Sequence, residues 1–275
     1  MQKFSNQPDR LDYLVEKMKE DSVRYKVLNA GNSFTEKRRT LRSLMNIRMP
    51  GYISADILAL QDEFLQEETK EKGIVTLEQI PTIKDLYGSK HRIGDRISIW
   101  QGDITRLAVD AIVNAANSQM LGCFVPCHGC IDNAIHSAAG MQLREECAEI
   151  MNKQGHGEPT GKAKITGGYN LPCKHVIHTV GPIIRGPLTQ YDCQMLRSCY
   201  DSCLTLAEEH HLESIAFCCI STGEYHFPND KAAAIAVEAV GDFLEHSVLK
   251  RVIINVFKDE DLKLYERILS DGLEK

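Results

Sequence analysis

The order of hydrophobic patterns along this 275-residue chain constrains its fold more than any other feature. From residue 97 onward, short β-rich runs alternate with longer segments of helical spacing. This alternation is typical of a central sheet with helices on both faces. The predicted strands are Ile97–Gln101, Ala111–Asn114, His175–Val180, Ser214–Ile220 and Arg251–Phe257, and the predicted helices cover about 132–151, 190–210, 229–246 and 260–270.

Before about residue 90 the hydrophobic spacing is helical. One predicted helix begins after Ser54, a residue type that favours the N-cap position, and ends near Gly73. The segment 86–92 is the predicted junction between the two patterns. We therefore expect an N-terminal helical extension over residues 1–90, separate from the sheet, and a second domain over residues 91–275.

Composition and charge exclude several classes of protein. No apolar run approaches the ~18 residues that a membrane helix needs, and the polar N-terminus lacks the apolar segment of a signal peptide. With 32 basic against 38 acidic residues, the net charge of −6 argues against a nucleic-acid-binding surface. We therefore expect a cytoplasmic globular protein without a membrane or nucleic-acid partner.

The chain has ten cysteines, and their positions are more informative than their number. A reducing compartment opposes a disulfide framework, so clustered cysteines favour metal ligands or reactive thiols. Cys123, Cys127, His128 and Cys130 fall within eight residues, in a loop that leads into a predicted helix. Zinc prefers such sulfur and imidazole ligands, and three ligands with one open position are typical of a catalytic site. Reactive thiols and buried small hydrophobic residues are the alternative interpretations.

Three segments with polar residues lie where predicted strands end, which is where α/β sheets bind ligands. The carboxylate of Gly102-Asp103-Ile104-Thr105 could accept a hydrogen bond from a ligand's amino group or could cap a turn. Val113-Asn114-Ala115-Ala116-Asn117 joins two amides through small residues, which fits a ligand site or a turn. The segment 220–228 contains Gly223 and precedes a helix, so its backbone could hold a phosphate. It lacks the Walker signature, which disfavours an ordinary nucleoside triphosphatase.

In chain order, these segments resemble the motifs of a macrodomain, an ADP-ribose-binding module. Further matching segments are 135–140, 166–172 and 176–182, and the resemblance covers about residues 91–270. It implies an α/β fold, a three-layer α/β/α sandwich with a mixed central sheet, here with an N-terminal helical extension. Most relatives have a glycine-rich loop before Ile131, whereas this chain has Cys123 through Cys130. That departure resembles the zinc-dependent branch of microbial macrodomains.

The resemblance implies how ADP-ribose would be bound. Asp103 would bind the adenine amino group with Ile104 beside it, and Phe257 would stack on the adenine ring. The backbone of one loop would hold the diphosphate, through Ser221, Thr222, Gly223, Glu224 and Tyr225. Asn117 and Asp132 would lie near the distal ribose as the catalytic residues. Zn²⁺ would be bound by Cys123, His128 and Cys130, with Cys127 as a spare or alternative ligand.

The implied activity is removal of mono-ADP-ribose from modified proteins by cleavage at the anomeric carbon of the distal ribose. Such cleavage develops positive charge, for which glycosidases commonly use two carboxylates, and Asp132 is the one matched carboxylate. Zinc would hold a ribose hydroxyl or acidify a bound water, and two thiolate ligands favour the first role. The alternatives are a non-catalytic ADP-ribose reader, an O-acetyl-ADP-ribose deacetylase and an interaction protein with structural zinc.

Overall fold

A six-stranded sheet forms the centre of the computed structural model, which describes residues 4, 6–89 and 93–271. In spatial order its strands are β2 (Ile97–Gln101), β8 (Arg251–Val256), β7 (Ser214–Phe217), β4 (Ala111–Ala116), β6 (His175–Val180) and β5 (Ala163–Gly167). Every neighbouring pair is parallel except the antiparallel pair of β5 and β6. The sheet is therefore mixed, and the carboxyl ends of its five parallel strands lie at one end of it.

Helices pack on both sides of the sheet. α8 (Gln190–Glu209), α9 (Asn229–Leu244) and α10 (Asp259–Asp271) pack in a row, and α6 (Ile131–Ala139) packs against α7 (Met141–Gln154). Their apolar faces and the strands between them share one buried hydrophobic core. The expected three-layer α/β/α sandwich is confirmed.

The structure corrects some predicted boundaries. The helix expected over 132–151 is two helices, because Gly140 breaks it with a φ of 97°, a left-handed conformation that favours glycine. The strand expected over Ser214–Ile220 ends at Phe217, and the one expected over Arg251–Phe257 ends at Val256. β4 continues two residues past Asn114, and β5 had no counterpart among the predicted strands.

The N-terminal segment forms a helical layer with its own core. It contains α1 (Gln7–Lys19), α2 (Val23–Lys26), α3 (Phe34–Ile47) and α4 (Ala55–Lys72). The predicted N-cap of α4 is present, since the Ser54 side chain accepts a hydrogen bond from the Ile57 N–H, and Gly73 follows the last helical residue. Buried residues from α1, α3 and α4 form a second hydrophobic cluster, which Met141 of α7 joins from the sandwich side.

The residues after α4 pack with the sandwich rather than with this helical layer. β1 (Val75–Thr76) pairs with β3 (Leu107–Ala108) in a separate two-stranded sheet, and α5 (Ile83–Tyr87) follows. Ile80 and Ile83 are buried in the core of the sandwich. The domain boundary at residue 90 stays a prediction, and residues 90–92 of the predicted junction lie outside the described residues. Within the described part of the chain, no helix has the length and apolar character to cross a membrane.

Candidate active site

The three expected zinc ligands meet in the loop between β4 and α6. The Cys123 Sγ lies 3.7 Å from Nδ1 of His128. One potential ligand atom from each of Cys123, His128 and Cys130 lies within 4.8 Å of the other two, and all three residues are half-buried. Cys130 is also the N-cap of α6, where its sulfur accepts a hydrogen bond from the Asn133 N–H.

The chemistry and spacing of these donors fit a zinc ion. Zinc bonds of about 2.3 Å to sulfur and about 2.0 Å to nitrogen place tetrahedral ligand atoms about 3.5–3.8 Å apart. The separation of 3.7 Å between Cys123 and His128 matches that range. Burial raises the pKa of the Cys130 thiol to about 12, so the thiolate needs a nearby cation to become stable.

His128 and Cys127 are adjacent in sequence but have different neighbours. His128 Nε2 lies 3.6 Å from the Glu224 Oε1, and the other ring nitrogen, Nδ1, lies beside the Cys123 sulfur. The Cys127 Sγ lies 3.2 Å from the Ser43 hydroxyl and 3.4 Å from the Arg39 carbonyl oxygen, on the side of α3. Cys127 is thus directed toward the helical layer and lies outside the group of three potential ligands.

The two expected catalytic residues lie side by side next to this loop. Nδ2 of Asn117 lies 3.5 Å from Oδ2 of Asp132, in the first turn of α6. Oδ1 of Asp132 accepts a hydrogen bond of 2.8 Å from Asn114. Burial raises the pKa of the Asp132 carboxyl to about 6, against the opposing effect of the Asn114 hydrogen bond. Asp132 is therefore a buried carboxyl group held in place by amides.

A hydrogen-bonded chain supports Asp132 from the sheet. Nδ2 of Asn114 also lies 3.1 Å from Nδ1 of His178 on β6, and the other ring nitrogen of His178 lies 3.0 Å from the Thr166 hydroxyl on β5. Burial lowers the pKa of His178 to about 3, so the ring is neutral at ordinary pH. Asn114 thus connects His178 to Asp132.

A second cluster of potential metal ligands lies deeper in the protein. His136, Cys147 and His178 are buried with one donor atom of each within 4.8 Å of the others. Both nitrogens of His178 already have hydrogen-bond partners, so the cluster lacks three free donors. Burial lowers the pKa of His136 well below its ordinary value, which keeps this ring neutral as well.

The expected diphosphate loop follows β7 and precedes α9. Within the described part of the chain, the backbone N–H groups of Gly223, Glu224 and Tyr225 have no hydrogen-bond partner. A Cβ atom built on Gly223 meets nothing within 4 Å, so there is open space beside the loop. Ser221 has a φ of 65°, and its buried hydroxyl is without a partner among the described residues. Unpaired donors facing open space suit an anion.

The expected adenine residues meet where β2 and β8 end. The Gly102 N–H donates to the Val256 carbonyl oxygen at 3.0 Å, which places Asp103 beside Phe257. Asp103 caps a short 3₁₀ helix, Ile104–Arg106, in which Ile104 is buried. The Phe257 side chain is 77% exposed, so its ring is accessible for stacking with a base.

Sequence reasoning missed three contributors to this site. The Asn114 amide was recognised as part of a motif, but its hydrogen bond to Asp132 was not. The Glu224 side chain beside His128 was also missed, since only its backbone was expected to act. The third is the contact of α3 with the cysteine loop, where Asn46 accepts a hydrogen bond from the Cys127 N–H at 2.9 Å. No sequence motif signals such contacts.

Comparisons with known proteins identify relatives of this chain. A family model described as "Macro domain" matches residues 113–236. A protein of Treponema medium named "Protein-ADP-ribose hydrolase" is 49% identical over 265 residues, which cover 96% of this chain and 99% of that protein. A protein of Staphylococcus aureus strain MSSA476 with the same name is 46% identical over 277 residues and covers both chains completely.

The fold also resembles solved structures. A Trypanosoma brucei macrodomain in complex with ADP-ribose aligns with a TM-score of 0.65 and 32% identity. The alignment covers 87% of this chain and 97% of that one. The similarity therefore extends beyond the isolated motifs to the arrangement of strands and helices.

Proposed function

Since the chain belongs to the macro domain family, we propose that it removes ADP-ribose from modified proteins in a zinc-dependent reaction. The observation that carries this proposal is the position of Cys123, His128 and Cys130, which lie within 4.8 Å of one another in the loop that leads directly to Asp132. The relatives named as hydrolases confirm the predicted enzyme class. We propose in addition that the metal is zinc, that the bond at the anomeric carbon of the distal ribose is cleaved, and that the site residues have the roles given below.

The two ends of ADP-ribose would occupy different loops at one end of the sheet. Asp103 and Phe257 would hold the adenine, and the unpaired N–H groups from Gly223 to Tyr225 would bind the diphosphate. The distal ribose would then reach Asn117 and Asp132, which follow the neighbouring strand β4. The route follows the order of strands β2, β8, β7 and β4 across the sheet.

The chemical step would replace the modified protein's side chain on the anomeric carbon by the oxygen of a water molecule. The bond from the anomeric carbon to that side chain breaks, the water loses a proton, and the side chain leaves with a proton. Asp132 offers a buried negative charge to the developing oxocarbenium ion, and Asn114 and Asn117 keep its carboxylate in place. When bound, zinc supplies a Lewis acid that polarises or orients an oxygen beside the reacting carbon.

Two substrates and one ligand distinguish this proposal from the alternative functions. Purified protein is incubated with a mono-ADP-ribosylated protein, with O-acetyl-ADP-ribose and with ADP-ribose alone, each with and without a chelator. We expect free ADP-ribose to be released from the modified protein and this release to stop with chelator. Bound ADP-ribose without any product identifies a reader, and cleavage of O-acetyl-ADP-ribose alone identifies a deacetylase. A protein that does not bind ADP-ribose favours the structural-zinc interaction protein.

A further inference from the structure

The face of α3 that meets the cysteine loop carries a set of long-range hydrogen bonds. We propose that α3 holds the metal-binding loop in its ligating conformation, with Arg42 and Asn46 as positioning residues. This inference rests on the zinc site of the proposed function. It assigns the N-terminal helical layer a part in the reaction centre, although none of its residues belongs to the ligand set.

Arg42 connects α3 to a metal ligand and to the helix that follows the ligands. Its Nη2 donates to the His128 carbonyl oxygen at 3.3 Å, and its Nε and Nη2 donate to Oδ1 of Asn133 at 3.0 and 2.6 Å. Nδ2 of Asn133 in turn donates to the Val125 carbonyl oxygen at 2.9 Å. The guanidinium group thereby holds both ends of the turn in which the His128 N–H donates to the Val125 carbonyl oxygen.

Asn46 holds the same turn from its other side. Its side chain is buried, accepts a hydrogen bond of 2.9 Å from the Cys127 N–H and donates one of 3.0 Å to the Ser137 hydroxyl of α6. Cys127 has a φ of 51°, a conformation that strains a residue with a side chain unless its surroundings maintain it. The hydrogen bond to Asn46 helps to maintain it, together with the contacts of the Cys127 Sγ with Ser43 and Arg39.

Arg144 of α7 attaches the end of α3 to the start of the loop. It donates to the carbonyl oxygens of Met45 and Asn46 at 2.9 Å each, in the last turn of α3, where a cation is favourable. The same guanidinium donates to the Leu121 carbonyl oxygen at 2.7 Å and lies 4.4 Å from the centre of the Phe124 ring. α3 and the loop therefore share one anchor in the sandwich.

These contacts bear on metal binding because the loop sequence does not order itself. Gly122 precedes the first ligand, Gly129 lies between the second and the third, and the loop has no regular secondary structure. A loop already held in shape loses little entropy when the metal binds, and it releases the metal slowly. Without Arg42 or Asn46, each ligand would move more freely and the zinc would leave faster.

The test compares two arginines on the same helix in the full-length protein. Arg38 faces α4, where it pairs with Glu68 at 2.6 Å, so Arg38→Ala weakens the helical layer without touching the loop. Zinc-loaded wild type, Arg42→Ala, Arg42→Lys and Arg38→Ala are mixed with a chromogenic chelator, and the zinc release rate is followed by stopped flow. Melting temperature, ADP-ribose affinity, kcat and KM are measured on the same samples.

We expect Arg42→Ala to release zinc at least tenfold faster, with lower kcat and an ADP-ribose affinity within threefold of wild type. The zinc release rate of Arg42→Lys should lie between those of the wild type and Arg42→Ala, because one ammonium group cannot bond both His128 and Asn133 in the same way. If Arg42→Ala does not fold, the zinc release rate of Arg42→Lys tests the inference in its place. Arg38→Ala should lower the melting temperature and keep the wild-type release rate.

Two results would overturn this inference and leave the proposed function intact. One is a zinc release rate of Arg42→Ala equal to that of the wild type, and the other is release from Arg38→Ala as fast as from Arg42→Ala. The second result would mean that general stability of the helical layer, rather than a specific contact, controls the loop. A wild-type protein that retains no zinc would overturn both this inference and the zinc site of the proposed function.

Discussion

Replacing Asp103 by asparagine should weaken ADP-ribose binding without disturbing the fold. Oδ1 of Asp103 accepts hydrogen bonds from the Thr105 N–H at 3.0 Å and the Thr105 hydroxyl at 2.7 Å. Oδ2 has no hydrogen-bond partner among the described residues and is therefore free to accept one from the adenine amino group. Asparagine keeps one oxygen for Thr105 but presents an amide donor in place of the second oxygen.

The size of the effect follows from the loss of one charge-assisted hydrogen bond. Such a bond contributes about 1.5–3 kcal/mol, so Kd for ADP-ribose should rise about 10- to 150-fold. Asp103→Ala should show the same loss of affinity and, in addition, a loss of stability. The alanine also removes the cap of the 3₁₀ helix, and a lost cap costs about 0.5–2 kcal/mol.

Isothermal titration calorimetry with ADP-ribose and thermal melting separate the two effects. Asp85 is a matched control, because its carboxylate accepts hydrogen bonds from the Thr82 N–H at 3.0 Å and the Thr82 hydroxyl at 2.7 Å, at the start of α5. Asp85→Asn should keep the wild-type affinity. If Asp103→Asn also binds ADP-ribose with wild-type affinity and an unchanged Tm, the adenine does not lie at Asp103.

Three further predictions concern the rest of the site. Phe257→Ala should raise Kd for ADP-ribose about 5- to 150-fold, because stacking on a base contributes about 1–3 kcal/mol. Its Tm should stay unchanged because the ring is 77% exposed, and calorimetry with thermal melting measures both. Gly223→Val should weaken binding more than Ser221→Ala, since the open space beside Gly223 would be filled; titration of both folded variants with ADP-ribose tests this. His178→Gln should lessen the loss of stability in acid, because the unfolded chain takes up a proton below pH 6.5 that the folded protein, with a His178 pKa of about 3, does not. This difference costs the wild type about 3 kcal/mol between pH 7 and pH 4, and urea unfolding at both pH values measures it.

A comparison of the predicted and the observed secondary structure shows which elements could be recognised from the sequence. β6 is rich in β-branched residues, which favour strands, and the predicted bounds His175–Val180 are those observed. β5 was missed because Lys164 and Gly167 interrupt its short apolar pattern, and most of its residues are only half-buried. The predicted helix over 132–151 ignored Gly140, where a Cβ atom would lie 2.7 Å from the Gln61 side chain of α4. The reason for that break lies in another part of the chain.

In the site, too, groups of residues close in sequence could be predicted, whereas contacts between distant parts of the chain could not. Cys123, His128 and Cys130 are close in sequence, so their convergence could be expected from spacing. The contacts of Arg42 with His128 and Asn133 join residues 86 and 91 positions apart. Local pattern carries no information on which helix packs against which loop, and only the packed structure reveals such contacts.

Zinc content and hydrolysis, measured together on Cys130→Ala and Cys127→Ala, test the central claim most directly. Both variants remove one thiol from the same loop, and the two thiols differ in that Cys127 faces α3 while Cys130 lies with Cys123 and His128. We predict one zinc per wild-type chain, loss of both metal and ADP-ribose release in Cys130→Ala, and retention of both in Cys127→Ala. ADP-ribose affinity in Cys130→Ala reports whether that variant stays folded. Full hydrolysis by a folded, metal-free Cys130→Ala protein would contradict the account.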